Sequence, residues 1–133
     1  MDAGKYETVQ GQRLKSAQGS MPLVYDDQSV AFDEIHLVFE REYLTLSVDP
    51  DTDEVVLDCR PLGEGGGQVG DAWQILGSMA DFQDLELGWC WLGRNQQGYT
   101  DTIILSFSGP EPQMMFSGMA GKLNVYRVVK TAG

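Results

Sequence analysis

Glu34-Ile35-His36-Leu37-Val38-Phe39-Glu40-Arg41-Glu42-Tyr43-Leu44-Thr45-Leu46-Ser47-Val48-Asp49-Pro50-Asp51-Thr52-Asp53-Glu54-Val55-Val56-Leu57-Asp58-Cys59 alternates apolar and polar residues through three successive runs. Ile35, Leu37 and Phe39 point one way, as do Leu44, Leu46 and Val48, then Val55, Leu57 and Cys59. A period of two marks half-buried β-strands. Setting Phe39 opposite Leu44 leaves Arg41-Glu42 as a two-residue hairpin loop. Setting Val48 opposite Val55 leaves Pro50-Asp51-Thr52-Asp53 as a longer loop. Both registers collect the nine apolar residues on one face. The other face then carries Glu34, His36, Val38, Glu40, Tyr43, Thr45, Ser47, Asp49, Glu54, Val56 and Asp58.

Working outward, the pattern changes on both sides of this stretch. The first 20 residues are rich in Gly, Gln, Ser and Lys and have weak periodicity, with Tyr6, Val9 and Leu14 as anchors for a short helix. Alternation begins after Pro22. Downstream of Arg60-Pro61, a loop with five glycines between Gly63 and Gly70 leads to Asp71–Asp81. There Trp73, Leu76, Met79 and Ala80 fall at helical spacing, with Asp71 as N-cap. Strand-like alternation resumes at Leu85, Leu87, Trp89 and Trp91, continues at Ile103, Leu105 and Phe107, and returns near Leu123 to Val129. Asn95-Gln96-Gln97-Gly98-Tyr99 reads as a polar hairpin loop, with Gly98 free to take a positive φ.

The expected fold is α+β and mainly β: an antiparallel sheet of six or seven short strands with one or two short helices. The 133 residues form one expected domain, 1–133, since no linker or internal repeat divides them. Apolar residues make up 42% and charged residues 22%, a globular rather than a disordered balance. The longest apolar runs, such as Thr102–Phe107, fall far short of the roughly 20 residues of a membrane-spanning helix. Met1–Glu7 has neither a basic leader nor an apolar run, so the expected compartment is the cytoplasm. Cys59 and Cys90 are then expected as buried free thiols.

Charge is unevenly spread. The net charge is −11, and residues 26–58 carry eleven acids against a single base, Arg41. Such a field repels nucleic-acid phosphates and anionic membranes and attracts basic proteins and cations.

Several patterns invite chemistry, and each has a plainer account. Gly65-Gly66-Gly67-Gln68-Val69-Gly70 fits G-x-G-x-x-G, with Asp84 and Glu86 at the distance of a ribose-binding acid. The chain lacks the βαβ alternation of a dinucleotide fold, so a connecting loop is the simpler reading and no cofactor is expected. Asp49, Asp51 and Asp53 have the spacing of a calcium loop, yet Glu54 stands where glycine is needed and Arg60 where a bidentate glutamate is needed. A solvated hairpin tip accounts for them, and no metal is assigned. His36 is the only histidine, and Cys59, Cys90 and His36 lack zinc-ligand spacing. Ser78 and Ser117 lie outside any nucleophile elbow. No catalytic residue emerges. Trp89 and Trp91 continue the phase of Leu85 and Leu87, so their burial against a Trp73 helix is expected rather than a stacking platform. Met114, Met115 and Met119 suit either core filling or an adaptable contact surface.

The run Trp89-Cys90-Trp91-Leu92-Gly93-Arg94-Asn95-Gln96-Gln97-Gly98-Tyr99-Thr100-Asp101, with Asp49-Pro50-Asp51-Thr52-Asp53-Glu54 upstream, resembles small uncharacterised bacterial proteins of this size. The resemblance implies no activity, catalytic residue or cofactor. Immunity proteins, which cover basic toxin surfaces, are comparable in size and acidity as a class only.

The functional expectation is a non-catalytic binding module, immunity- or regulator-like. It presents Glu34, His36, Glu40, Tyr43, Glu54 and Asp58 to a basic protein partner and binds neither nucleic acid nor membrane. Two alternatives remain: a small-ligand or carbohydrate-binding domain using exposed tryptophans, and a carboxylate-dependent hydrolase drawing on Asp84, Glu86 and Asp101.

Overall fold

The alternating stretch resolves into β4 (Glu34–Val38), β5 (Glu42–Val48) and β6 (Val55–Pro61) in a computed structural model that describes residues 4–20, 22–63 and 73–132. Val48 faces Val55, as the sequence predicts. In the first hairpin Leu44 faces Leu37 rather than Phe39, and Phe39 N donates to Glu42 O at 2.8 Å, so Glu40 and Arg41 form the tip. A slip of two residues leaves every side chain on its expected face. Ile35, Leu37, Phe39, Leu44, Leu46, Val55 and Leu57 are buried, with Val48 and Cys59 packed against the same cluster.

Three antiparallel strands become five through β1 (Ser16–Ser20) and β7 (Trp73–Ile75), in the order β6-β5-β4-β1-β7. The sequence Ser-Ala-Gln-Gly-Ser carries no large apolar residue, which hides β1 from any reading of periodicity. Its inward positions are Ala17 and Gly19, and the Phe32 ring lies directly over Gly19, filling the space that a side chain there would need. The helix expected over 71–81 is replaced by β7 and a 3-10 helix at Gly77–Phe82. Trp73 is drawn into extended pairing with Ser20 on β1, leaving only Leu76, Met79 and Phe82 to turn into the core. Asp71, the expected cap, lies outside the described residues, as does the Gly65–Gly70 run.

A second sheet holds β2 (Leu23–Val24), β3 (Val30–Phe32), β8 (Leu87–Arg94), β9 (Thr100–Phe107), β10 (Met114–Met119) and β11 (Lys122–Arg127), in the order β2-β3-β11-β10-β9-β8. Eleven strands among the described residues therefore replace the six or seven expected. β2, β3 and β7 are only two or three residues long, β1 is built from small and polar residues, and β10 holds the methionines of the stretch after Pro112. Asp33 alone separates β3 from β4, so the chain passes from one sheet to the other across a single residue. The inner faces close on a shared core that includes Phe32, Phe39, Ile103, Leu105, Met114, Phe116 and Leu123. The α-helix α1 (Gly4–Glu7) and the residues after it add Tyr6, Val9 and Leu14. No helix among the described residues is long and apolar enough to cross a membrane.

Candidate functional site at a bulged sheet edge

Leu87 pairs with Phe107 and Cys90 with Leu105, so β8 advances three residues while β9 advances two. The extra residue is a β-bulge. Leu87 is buried and Cys90 packs against the core, whereas Trp89 and Trp91, which share the parity of Leu87, turn outward. Burial of both tryptophans against a Trp73 helix is thus corrected: Trp89 is 58% exposed and Trp91 half-buried, with the ring centroids 6.2 Å apart at an interplanar angle of 24°.

The bulge is held by specific contacts. Trp89 N donates to Ser106 Oγ at 2.7 Å, and Ser106 is fully buried. Tyr6, reaching from α1, donates its hydroxyl to Gly88 O. A Cβ on Gly88 would stand 2.7 Å from Ser106 Oγ and 2.8 Å from Gly109 O, so only glycine fits between these neighbours. The N-terminal segment covers the β8 edge at Leu87, with Gly11 N donating to Leu87 O and Leu87 N to Gln12 O, each at 2.9 Å.

Beyond the bulge, two neighbouring rows on the outer face of the second sheet are uncharged, and Lys122, opposite Met119, stands at the end of that face. Register places Trp91, Ile104, Met115 and Tyr126 in one row across four strands. The adjacent row runs Gly93, Thr102, Ser117, Asn124, Ala31 and Leu23. Neither row contains Asp, Glu, Lys or Arg. Tyr126 and Met119 are exposed and Met115 is half-buried, while Met114 and Phe116 fill the core from the same strand.

The residues expected to face a partner do not form one open surface. Glu34, His36 and Tyr43 come together on the outer face of the first sheet, where His36 lies 4.4 Å from the Trp73 ring and 5.1 Å from Tyr43. His36 and Tyr43 are buried. His36 and Trp73 stand on strands that flank β1, so rings this close must meet over it. The side chain of Gln18, which pairs with His36 in register, is fully buried there, with no hydrogen-bond partner for Nε2 or Oε1 among the described residues. Burial holds His36 below the ordinary histidine range, against the pull of Glu34 Oε2 at 3.2 Å and with some help from Arg60. Glu40 stays exposed at the hairpin tip, where Oε1 accepts Arg13 N at 2.9 Å. Glu54 turns to the second sheet, with Oε2 3.4 Å from Thr100 N. Asp58 pairs with Lys5 at 3.1 Å and Arg60 at 3.6 Å, and the Lys5 contact holds its carboxyl below the usual range.

The profile of DUF6334, a family of unknown function, matches residues 1–132. The chain belongs to DUF6334. No curated protein and no solved structure matches it.

In this DUF6334 chain the groups with catalytic potential are dispersed. Among the described residues, no group of three or more His, Cys, Asp and Glu side chains could hold a metal ion. The calcium-like aspartates diverge: Asp49 Oδ1 caps Asp51 N at 2.9 Å, while Asp53 accepts Ala120 N at 3.2 Å and Gly121 N at 2.9 Å from the β10–β11 turn. Of the candidate hydrolase acids, Asp84 pairs with Lys15 at 2.8 Å and Asp101 accepts Asn95 Nδ2 at 3.4 Å, while Glu86 lies by the bulge. Cys59 and Cys90 are free thiols, both pushed up to about 11. Burial is the leading cause in each, reinforced at Cys59 by an S–H donated to Glu42 Oε2 at 3.4 Å. The Asn95 loop closes as a polar hairpin, with Asn95 Oδ1 accepting Gln97 N and Tyr99 N, and Gly98 at φ +87°. The sequence did carry a signal for the bulge: Gly88, an isolated glycine within a strand pattern.

Proposed function

We propose that this protein is a non-catalytic binding module that takes a basic protein partner on the outer face of its second sheet. The observation that carries the reading is the uncharged row Trp91–Ile104–Met115–Tyr126, with Trp89 beside it, on a chain of net charge −11. At a strand spacing of about 4.8 Å the row spans roughly 14 Å. Tryptophan, tyrosine and methionine at the centre of a face, with charge kept to its margins, is the composition of an interface core. Of the cations near the margin, Lys122 pairs with Asp33, Arg127 with Asp81 and Lys130 with Glu111, which leaves Arg94 at the end of β8 without an ion pair among the described residues, against the chain's excess of eleven negative charges. The net field around the face therefore stays negative. Glu40 and the other acids of residues 26–58 act at a distance, speeding encounter with a basic surface, while the aromatic row supplies contact area after docking.

The test is affinity capture at low salt and again at about 0.5 M, where screening is far stronger than at 0.1 M. The captured protein is identified, purified and measured against Met115→Glu and Tyr126→Ala, both at outward positions. A basic partner whose binding weakens with salt and is lost in Met115→Glu supports the reading. A partner bound equally well by both variants overturns it. So does a dimer in sedimentation that dissociates on Met115→Glu, because the face would then belong to a second copy of this chain.

A further inference from the structure

Two clefts meet at the bulge. One, of about 240 Å³, is lined by Tyr6, Glu7, Gln10, Leu57, Trp89, Cys90 and Leu92. The other, wider and more open, is lined by Glu86, Gly88, Ser108 and Pro110 among others, and shares Gln10 and Trp89 with the first. Trp89 is thus a wall common to both, with an acidic residue in each lining: Glu7 on α1 in one and Glu86, just before β8, in the other. No Lys or Arg lines either cleft, and neither Glu7 nor Glu86 forms an ion pair among the described residues.

From this arrangement we infer that the paired clefts at Trp89 receive an arginine side chain of the partner, the guanidinium stacking on the indole and donating to Glu7 or Glu86. This rests on the protein-binding reading above. The chemistry selects arginine in particular. A guanidinium is planar and weakly hydrated, stacks on an aromatic face and presents several donors, whereas an ammonium is a compact, strongly hydrated point charge. Charge-assisted hydrogen bonds to a carboxylate are stronger than neutral ones. The sequence and fold provide for the indole to be presented rather than buried: the bulge, the glycine at position 88, the Ser106 hydroxyl and the Tyr6 hydroxyl all act on the two residues that carry it.

The probes are three capped hexapeptides of alternating glycine with arginine, lysine or citrulline, titrated at low ionic strength into the full chain. The readout is the indole Nε1–H resonance of Trp89, assigned with Trp89→Phe. A saturable shift of that resonance is expected with the arginine peptide, severalfold tighter than with the lysine peptide, because the planar, weakly hydrated guanidinium stacks and donates where the ammonium does not. Citrulline should leave it in place, and Glu7→Gln with Glu86→Gln should weaken arginine binding severalfold. Equal affinities for arginine and lysine peptides, or shifts spread over the acidic hairpins with Trp89 unmoved, overturn the inference. The outcomes separate from those of the partner test. Loss of partner binding in Met115→Glu together with an inert Trp89 would leave the binding face standing and remove the arginine site alone.

Discussion

Ser106 Oγ, sealed from solvent on β9, accepts the backbone amide of Trp89 on the neighbouring edge strand at 2.7 Å. The hydroxyl replaces the ladder acceptor that the extra residue of the bulge displaces. Ser106→Ala leaves that amide without its partner, at an expected cost of about 1–3 kcal/mol. Gly88→Ala forces a Cβ against Ser106 Oγ and the Gly109 carbonyl, and overpacking of this kind costs about 1–3 kcal/mol. Urea unfolding of each variant measures both. Two variants as stable as the parent would mean that the bulge relaxes freely and is not a fixed element of the fold.

Tryptophan emission tests the outward turn of β8. Trp89 supplies the most exposed indole among the three, so acrylamide should quench the native protein strongly, and Trp89→Phe should remove the larger part of the quenchable signal. Quenching that is weak in the parent, or unchanged in Trp89→Phe, would place the ring inside the protein.

His36 ties stability to pH. Burial holds its native pKa below the unfolded value of about 6.5. In the window below that value the unfolded chain binds more protons than the native one, so stability falls as pH drops. Above it the effect vanishes. The difference between parent and His36→Gln isolates the histidine. Each protein is referred to its own stability at pH 7.5, and the parent should lose more on moving to pH 5.5. Parallel curves would show that Glu34 offsets the burial of the ring.

Both thiols should be unreactive in the native state. With values near 11, Cys59 and Cys90 are thiolate to only about one part in a thousand at pH 8, and the thiolate is the attacking species. Labelling by dithiobis(nitrobenzoate) is expected to be about a hundredfold slower in buffer than in urea. Rapid labelling of either cysteine without denaturant would contradict its placement against the core.

Asp53 fastens the β5–β6 loop to the β10–β11 turn, both carboxylate oxygens accepting backbone amides while its own backbone sits at φ +60°. Asp53→Ala should cost about 2–3 kcal/mol by leaving two amides without a charged acceptor. Asp53→Asn should cost less, since asparagine keeps one acceptor and tolerates positive φ. Thermal unfolding ranks the pair, and equal losses would mean that the charge, which both variants remove, governs the site rather than the acceptor or the backbone conformation.

The sequence made some parts of this architecture plain and hid others for physical reasons. The β4–β5–β6 meander is legible because nine inward positions between Ile35 and Cys59 are apolar, with Glu42 at the start of β5 the exception, and each turn keeps the parity. β1 is not, because Phe32 supplies the bulk that Gly19 lacks. The tryptophan face is misread by simple alternation, since Leu87, Trp89 and Trp91 have the same parity and only the bulge between Leu87 and Cys90 separates core from surface. The expected acidic face fails as one surface because alternation assigns a side, not solvent access: His36 and Tyr43 are on the predicted side, and Trp73 packs beside His36.

Asp33 stands alone between a strand of one sheet and a strand of the other. With no slack at that crossing, the two layers cannot mature as separate folding units, and a fragment ending there would forfeit the pairing on both sides. Folding of this chain is therefore a concerted search over distant partners, slow on the scale set by its long-range strand pairings, and damage to either layer is felt in both.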